Sequence, residues 1–226
     1  DTENRLVGIV TFDDAMDVME DEATEDMEKM AAMLPSEHPY MRSTPVEIWK
    51  NRIPWLLLLM VSATFTGQII SSFEDALSAF TVLTAYIPML MDTGGNSGSQ
   101  ACVSIIRGIS LNEIEFRDLG RVVWKEIRVS VLCGVCLAIA CFAKIIVVDM
   151  LLLKSESVTY LVAFVVCATM AVTVCLAKIV GSTLPLLAKK LGFDPAVMAS
   201  PIITTIVDFL SLLVYFAFAT AMLGIG

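Results

Sequence analysis

Histidine is almost absent from this chain, and charge is scarce over most of its length. One histidine, His38, stands among 226 residues, and only 17% of the residues are charged. His38 falls in a polar linker and reads as solvated, so the apolar runs contain no histidine. That excludes a His/Glu metal cluster or a Ser–His pair within them. Cys133-x-x-Cys136 has no flanking His or further Cys to complete a zinc site. All six cysteines fall inside apolar runs and read as reduced, buried small hydrophobes. A soluble domain carries about a quarter charged residues. The shortage here, with 57% apolar residues and a mean hydropathy of +0.77, points to the bilayer as solvent.

The charge that is present is unevenly placed. Residues 1–33 hold eleven acids against Arg5 and Lys29, a net of −9, whereas residues 34–226 hold thirteen acids and thirteen bases. Two environments are joined in one chain. Residues 1–33 form a cytosolic acidic head, 34–52 a linker and lead-in, and 53–226 a membrane domain. The polar opening without an initiator Met reads as a fragment edge.

A crossing helix needs about 20 apolar residues. Five runs qualify, with spans expected at 53–73, 76–107, 121–149, 157–189 and 194–225. The first is uncharged from Ile53 to Ser72; the others carry Asp92, Lys144, Lys178 and Asp208. Ten bases (Arg42, Lys50, Arg52, Arg107, Arg117, Arg121, Lys125, Arg128, Lys189, Lys190) fall on one side, against Lys154 and at most Lys144 on the other. The positive side is cytoplasmic, which places the N-terminus inside and the C-terminus outside.

In the head, Arg5–Thr11 reads as a short buried strand and Asp13–Met33 as a helix. Such a remnant cannot bury a core alone and is expected to be the tail of a larger domain. On the helix, Asp17/Asp21, Asp21/Glu25 and Glu22/Asp26 are like-charge pairs at i,i+4, each costing roughly 0.2–0.5 kcal/mol. Two readings stay open: a solvated acidic face, or carboxylates bridged to a neighbour by divalent cations.

Two intramembrane features carry the chemistry. Met91-Asp-Thr-Gly-Gly-Asn-Ser-Gly-Ser-Gln100 is a Gly-rich polar stretch inside an apolar run. An unwound helix lining an ion pathway is expected there, weighed against close helix packing at Gly94, Ser97 and Gly98. In the last span Asp194-Pro195 suits a helix start, and Pro201 is expected to kink the helix. On one helix Asp194, Val197, Pro201, Thr204, Thr205 and Asp208 would share a stripe about 20 Å long. Asp208 falls near mid-bilayer, where an aspartate costs roughly 2.5–3.5 kcal/mol, so a functional partner is expected. A structural pair with Lys178 is the alternative. A carboxylate in a narrow pathway draws cations, and two copies facing across a two-fold axis would favour a divalent ion. Mg²⁺, which sheds water reluctantly, suits a wide water-lined aspartate ring.

These residues together resemble the MgtE family of magnesium channels along essentially the whole chain. Leu6–Asp14 with Glu22–Asp26 looks like the end of that family's paired CBS domains running into a plug helix. Thr93–Gly98, Arg107-Gly108, Lys125-Glu126 and Asp194-Pro-Ala196…Pro201…Thr205…Asp208 look like its membrane motifs. The resemblance implies an all-α membrane protein with five spans per subunit and a homodimeric pore lined by the second and fifth spans. It implies hydrated Mg²⁺ at Asp208, with Asp92, Gly95, Asn96, Ser99, Ser200, Pro201, Thr204 and Thr205 as candidate lining. It further implies that cytosolic Mg²⁺ closes the pore by crosslinking acids among Asp17, Glu22, Glu25 and Asp26 to the mouth at Asp194. Asp92 and Ser99 depart from the family pattern, which commonly has Gly and Asn there.

The expected protein is a passive Mg²⁺ channel of the cell membrane, not an enzyme, with Mg²⁺ as cargo and gating ligand and no nucleic-acid partner. The alternative is an H⁺- or Na⁺-coupled divalent cation transporter using Asp92, Lys178 and Asp208. An intramembrane aspartyl enzyme built on Asp92 and Asp208, or a purely structural assembly, fits the residues less well.

Overall fold

A computed structural model of the chain describes residues 8–36 and 38–224. The described residues form seven α-helices and no strand. Residues 5–7 of the expected strand lie outside the described residues; Gly8–Val10 has no regular structure and is exposed.

α1 (Phe12–Met30) starts at a capping box. The Thr11 hydroxyl accepts from Asp14 N–H at 3.4 Å, and Asp14 Oδ2 accepts from Thr11 N–H at 2.9 Å. Acids in its first turn and Lys29 in its last complement the helix dipole. The same device opens α2 (Pro45–Ser72): Thr44 pairs reciprocally with Glu47, and Pro45 stands in the first turn. α2 buries only Ile69 and packs chiefly on the last helix. A short helix α3 (Glu74–Ala79) and a 3₁₀ turn (Thr81–Tyr86) lead into α4 (Ile87–Ser110).

α5 (Leu119–Lys144) widens at its end into a π-helical stretch, Ile145–Leu152. A wider turn brings residues five apart onto one face. Lys144 Nζ accordingly reaches both oxygens of Asp149, at 3.1 and 2.9 Å. Tyr86 donates its hydroxyl to the same carboxylate at 2.8 Å, and the Lys144 ammonium lies 5.1 Å from the centre of its ring. The buried Asp149 is thus satisfied from two elements. α6 (Tyr160–Lys190) is the central helix, packed on α4, α5 and α7 (Ser200–Leu223).

Among the described residues, four helical stretches are long and apolar enough to cross a membrane: residues 45–72, 116–152, 160–190 and 195–223. α4, the expected second span, is long enough at 24 residues but falls short in composition. Asp92, Thr93, Asn96, Ser97, Ser99 and Gln100 dilute its apolar character.

One core cluster joins Leu83, Tyr86 and Leu90 to Val162, Val166 and Met170 of α6 and Leu212, Tyr215 and Phe216 of α7. Tyr215 donates to the Leu83 carbonyl at 3.0 Å, and Phe73 stacks on Phe216 at 4.5 Å. A second cluster, nearer α1, joins Cys102 and Ile106 to Ala177, Ala199, Ile203 and Val207. All six cysteines are free; Cys102, Cys141 and Cys167 are buried as expected, but Cys136 is exposed.

Candidate functional site

The Gly-rich stretch does not unwind. α4 is continuous through Gly94, Gly95 and Gly98, against the expectation of a broken helix. Its glycines serve close packing instead. A Cβ on Gly98 would lie 3.1 Å from the Ala177 carbonyl oxygen, and one on Gly94 would lie 2.7 Å from Thr173 Cγ2 and 3.0 Å from Ser211 Oγ. Reciprocally, a Cβ on Gly181 would overlap the Gly98 carbonyl oxygen. Helix backbones that meet this closely satisfy the ladder internally and need no break.

The break falls in the other motif. Asp194 caps a 3₁₀ turn, Pro195–Met198, by accepting from Ala196 N–H at 2.9 Å. Ala199 is extended (φ −74°, ψ −158°), and α7 restarts with Pro201 in its first turn. Proline lacks an N–H, which a helix start does not need, so Pro201 begins α7 where the sequence predicted a kink. Thr204 and Thr205 return their hydroxyls to the Pro201 carbonyl at 3.0 and 2.9 Å. Asp194 and Asp208 therefore belong to separate segments.

α4 and α7 together wall a cavity of about 450 Å³ lined by Ile87, Pro88, Met91, Asp92, Gly95, Asn96, Thr204 and Asp208. The α4 residues are two i,i+4 rows, 87–91–95 and 88–92–96, and Thr204 and Asp208 are one turn apart on α7. Gly95 sets the closeness of the two walls, because a Cβ there would lie 2.9 Å from Thr204 Cγ2. The polar lining is two carboxylates, an amide and a hydroxyl. It is an oxygen-rich set suited to a hard, hydrated cation.

Four of the eight candidate lining residues meet here: Asp92, Gly95, Asn96 and Thr204 line the cavity with Asp208, while Ser99, Pro201 and Thr205 do not. Ser99 Oγ is buried without a hydrogen-bond partner, and Thr205 faces α2 beside Ser62, Phe65, Thr66, Ile206 and Phe209. The Ser200 side chain lies outside the described residues; its backbone opens α7. The alternative pairing of Asp208 with Lys178 does not form: among the described residues neither has an ion pair, though Lys178 is only 4% exposed.

The acids of α1 divide by face. Asp17 and Glu22 are exposed, whereas Glu25 and Asp26 turn toward the 3₁₀ turn at Asp194. Lys29, to which sequence reasoning gave no role, donates to Asp194 Oδ2 at 2.6 Å and pairs with Glu25 Oε1 at 2.5 Å. The hydrogen bond to Asp194, then that to Glu25, pushes the Lys29 ammonium well above the usual lysine range. Burial, then the Asp194 charge, pushes the Asp26 carboxyl up. Among the described residues no group of three or more His, Cys, Asp or Glu is placed to hold a metal ion. Ile87, Pro88 and Met91 were also missed as lining; the i,i+4 spacing to Asp92, Gly95 and Asn96 was the available signal.

A protein-family model described as MgtE, divalent cation transporter, matches residues 87–218, which begin at the first residue of α4. The magnesium transporter MgtE of Thermus thermophilus is 38% identical over 223 residues, covering 99% of this chain and 48% of that protein. Those of Bacillus subtilis and Enterococcus faecalis are 37% and 31% identical over 220 residues each, covering 97% of this chain and 47% and 46% of theirs. The chain thus spans about half the length of the curated relatives it matches. On the family match and on the identity across nearly its whole length, this chain belongs to the MgtE family of divalent cation transporters.

Proposed function

We propose that this chain is the membrane portion of a passive magnesium channel. Two copies would form one pore, with α4 as a fifth crossing helix beside the four apolar ones. The N-terminus would face the cytoplasm of a cell-membrane protein, since ten bases gather on that side. The observation that carries the reading is the cavity in which Asp92 and Asp208, on different helices, share one lining with Asn96 and Thr204.

Cargo follows from the donors. Two carboxylates facing one space repel each other, and a divalent cation relieves both. Magnesium keeps most of its water, and a hydrated ion is held through a few oxygen contacts rather than a closed cage. Asp208 is the proposed central site, with its two-fold mate opposite, and Asp92 adds charge on the far-side wall. A membrane voltage supplies about 2.3 kcal/mol per elementary charge per 100 mV, which suffices for inward flux without a coupled ion. α1 is the proposed plug, with Glu25 and Asp26 beside Asp194 as the acids that cytosolic Mg²⁺ would bridge to close the pore; Asp17 and Glu22 would reach such an ion from a partner or from further chain.

Mg²⁺ uptake into liposomes, compared with Asp208→Ala, tests this. Loss of uptake or of Mg²⁺ preference in the variant supports the channel. Equal flux in both sinks the assignment of Asp208. Uptake that requires a proton or Na⁺ gradient replaces the channel with a coupled transporter.

A further inference from the structure

α4 and α5 each pack on α6 rather than on each other, and the groove between the end of α4 and the start of α5 is a cavity of about 510 Å³. The turn that joins the two helices folds back to form its floor. Glu113 and Ile114 N–H both donate to the Gly108 carbonyl, at 2.8 and 3.1 Å, with Asn112 left-handed at φ 56°. A Cβ on Gly108 would lie 2.5 Å from Ile114 Cδ1, so this return needs a glycine there. Into the groove come Arg107 from the last turn of α4 and Arg121 and Lys125, one turn apart on α5, together with Glu113 and Glu126. Only Arg121 meets an acid, Asp118 at 3.8 Å, and its side chain is 91% exposed. Among the described residues Arg107, Lys125, Glu113 and Glu126 enter no ion pair. Five charges thus line one cavity largely unneutralised, with a net of +1.

The groove opens where lipid-facing surface begins. Trp124, next to Lys125, is 60% exposed, and the Arg128 guanidinium lies 5.9 Å from the centre of its ring. Tryptophan beside bases marks headgroup depth. Farther along α5, Val131, Leu132 and Val135 are exposed, and Leu111 on the rim of the groove is exposed as well. Bases that only set the orientation of the chain need not converge from two helices on one cavity.

We propose that this groove binds the headgroup of an anionic phospholipid of the phosphatidylglycerol class, in the leaflet that the bases face. Arg107, Arg121 and Lys125 hold the phosphate oxygens through charge-assisted hydrogen bonds. Glu113 and Glu126, which as carboxylates only accept, take the hydroxyls of the headgroup. A ligand of charge −1 neutralises the groove, whereas an ammonium headgroup cancels its own phosphate and leaves the excess in place. The exposed apolar rim favours a lipid over a free phosphate, because acyl chains cover it. A bound headgroup would bridge the ends of α4 and α5. The inference takes the membrane reading of the chain as given and does not depend on the pore or on Asp208.

Native mass spectrometry of the protein from detergent, with phosphatidylglycerol or phosphatidylcholine titrated in, tests this without measuring transport. Wild type is expected to bind phosphatidylglycerol at least about tenfold more tightly than phosphatidylcholine, since each base near the surface is worth about fivefold for an anionic lipid. Arg107→Gln with Lys125→Gln is expected to lose about 30-fold for phosphatidylglycerol by the same measure. Arg42→Gln with Lys189→Gln removes two bases from the same side but outside the groove, and should bind as wild type does. Equal losses in the two double variants overturn the proposal, because general surface charge then explains the binding. Phosphatidylethanolamine bound as tightly as phosphatidylglycerol overturns the headgroup assignment. Displacement of the lipid by millimolar inorganic phosphate or glycerol phosphate overturns the lipid in favour of a soluble anion. Circular dichroism reports whether the variants fold; if they do not, equal wild-type affinity for phosphatidylglycerol and phosphatidylcholine still sinks the idea.

Discussion

Gly181→Ala probes the contact that holds the α4 wall of the cavity in place. A Cβ at 181 would overlap the Gly98 carbonyl oxygen and lie 3.0 Å from the carbonyl carbon and 3.2 Å from Cα of Gly98. These are helix backbone atoms and cannot rotate away, so α4 and α6 must separate by something on the order of 1 Å. Overpacking of this kind costs about 1–3 kcal/mol, and the rigid neighbours place it near the upper end. Replacing a mid-helix glycine by alanine returns up to about 1 kcal/mol. The net expectation is a loss of about 2 kcal/mol. Reversible unfolding in mixed detergent micelles, followed by circular dichroism, measures it. Gly67→Ala in α2 is the control, because nothing lies within 4 Å of its Cβ; it should match or exceed wild type by up to about 1 kcal/mol. Equal stability of the two variants would refute the claim that α4 and α6 meet backbone to backbone. A folded Gly181→Ala protein should also take up less Mg²⁺, since a displaced α4 carries Asp92 and Gly95 away from Thr204 and Asp208.

Lys144→Met leaves the buried Asp149 with only the Tyr86 hydroxyl. Because Lys144 itself is 43% exposed, the cost should be about 1–3 kcal/mol, below that of a fully buried pair. Asp149→Asn added to it should recover part of the loss in the same unfolding assay; no recovery would mean the pair does not matter. Asp26→Asn should slow amide exchange in the last turns of α1 at neutral pH. The sign follows from the raised Asp26 pKa: the seated state favours the protonated acid, so seating strengthens as pH falls through that value and weakens above it. After correction for intrinsic exchange, the wild type should show this dependence and Asp26→Asn should lose it; the opposite slope would show that the Asp26 charge helps seating.

The long apolar runs and the isolated Asp208 were legible in the sequence, because each depends on residues near one another in the chain; the capping boxes at Thr11–Asp14 and Thr44–Glu47 are equally local, but were read only from the structure. Helix faces were legible for the same reason: Asp92 and Asn96, or Thr204 and Asp208, are one turn apart whatever surrounds them. The family, too, was legible in motifs of fixed order and spacing. What the glycines of α4 do was not. Gly94-Gly95 and Gly98 are equally compatible with an unwound segment and with a tight crossing, and the presence of Gly181 eighty-three residues later decided for the crossing. Pro201 likewise reads as a kink or a start until Ala199 is seen to leave the helix. Lys29 shows the limit most clearly. Locally it is an i,i+4 partner of Glu25 on an acidic helix, and its second carboxylate lies 165 residues away. Side-chain charge and helical period are written along the chain, but the choice of partner across helices is made by packing, and only the tertiary structure holds that information.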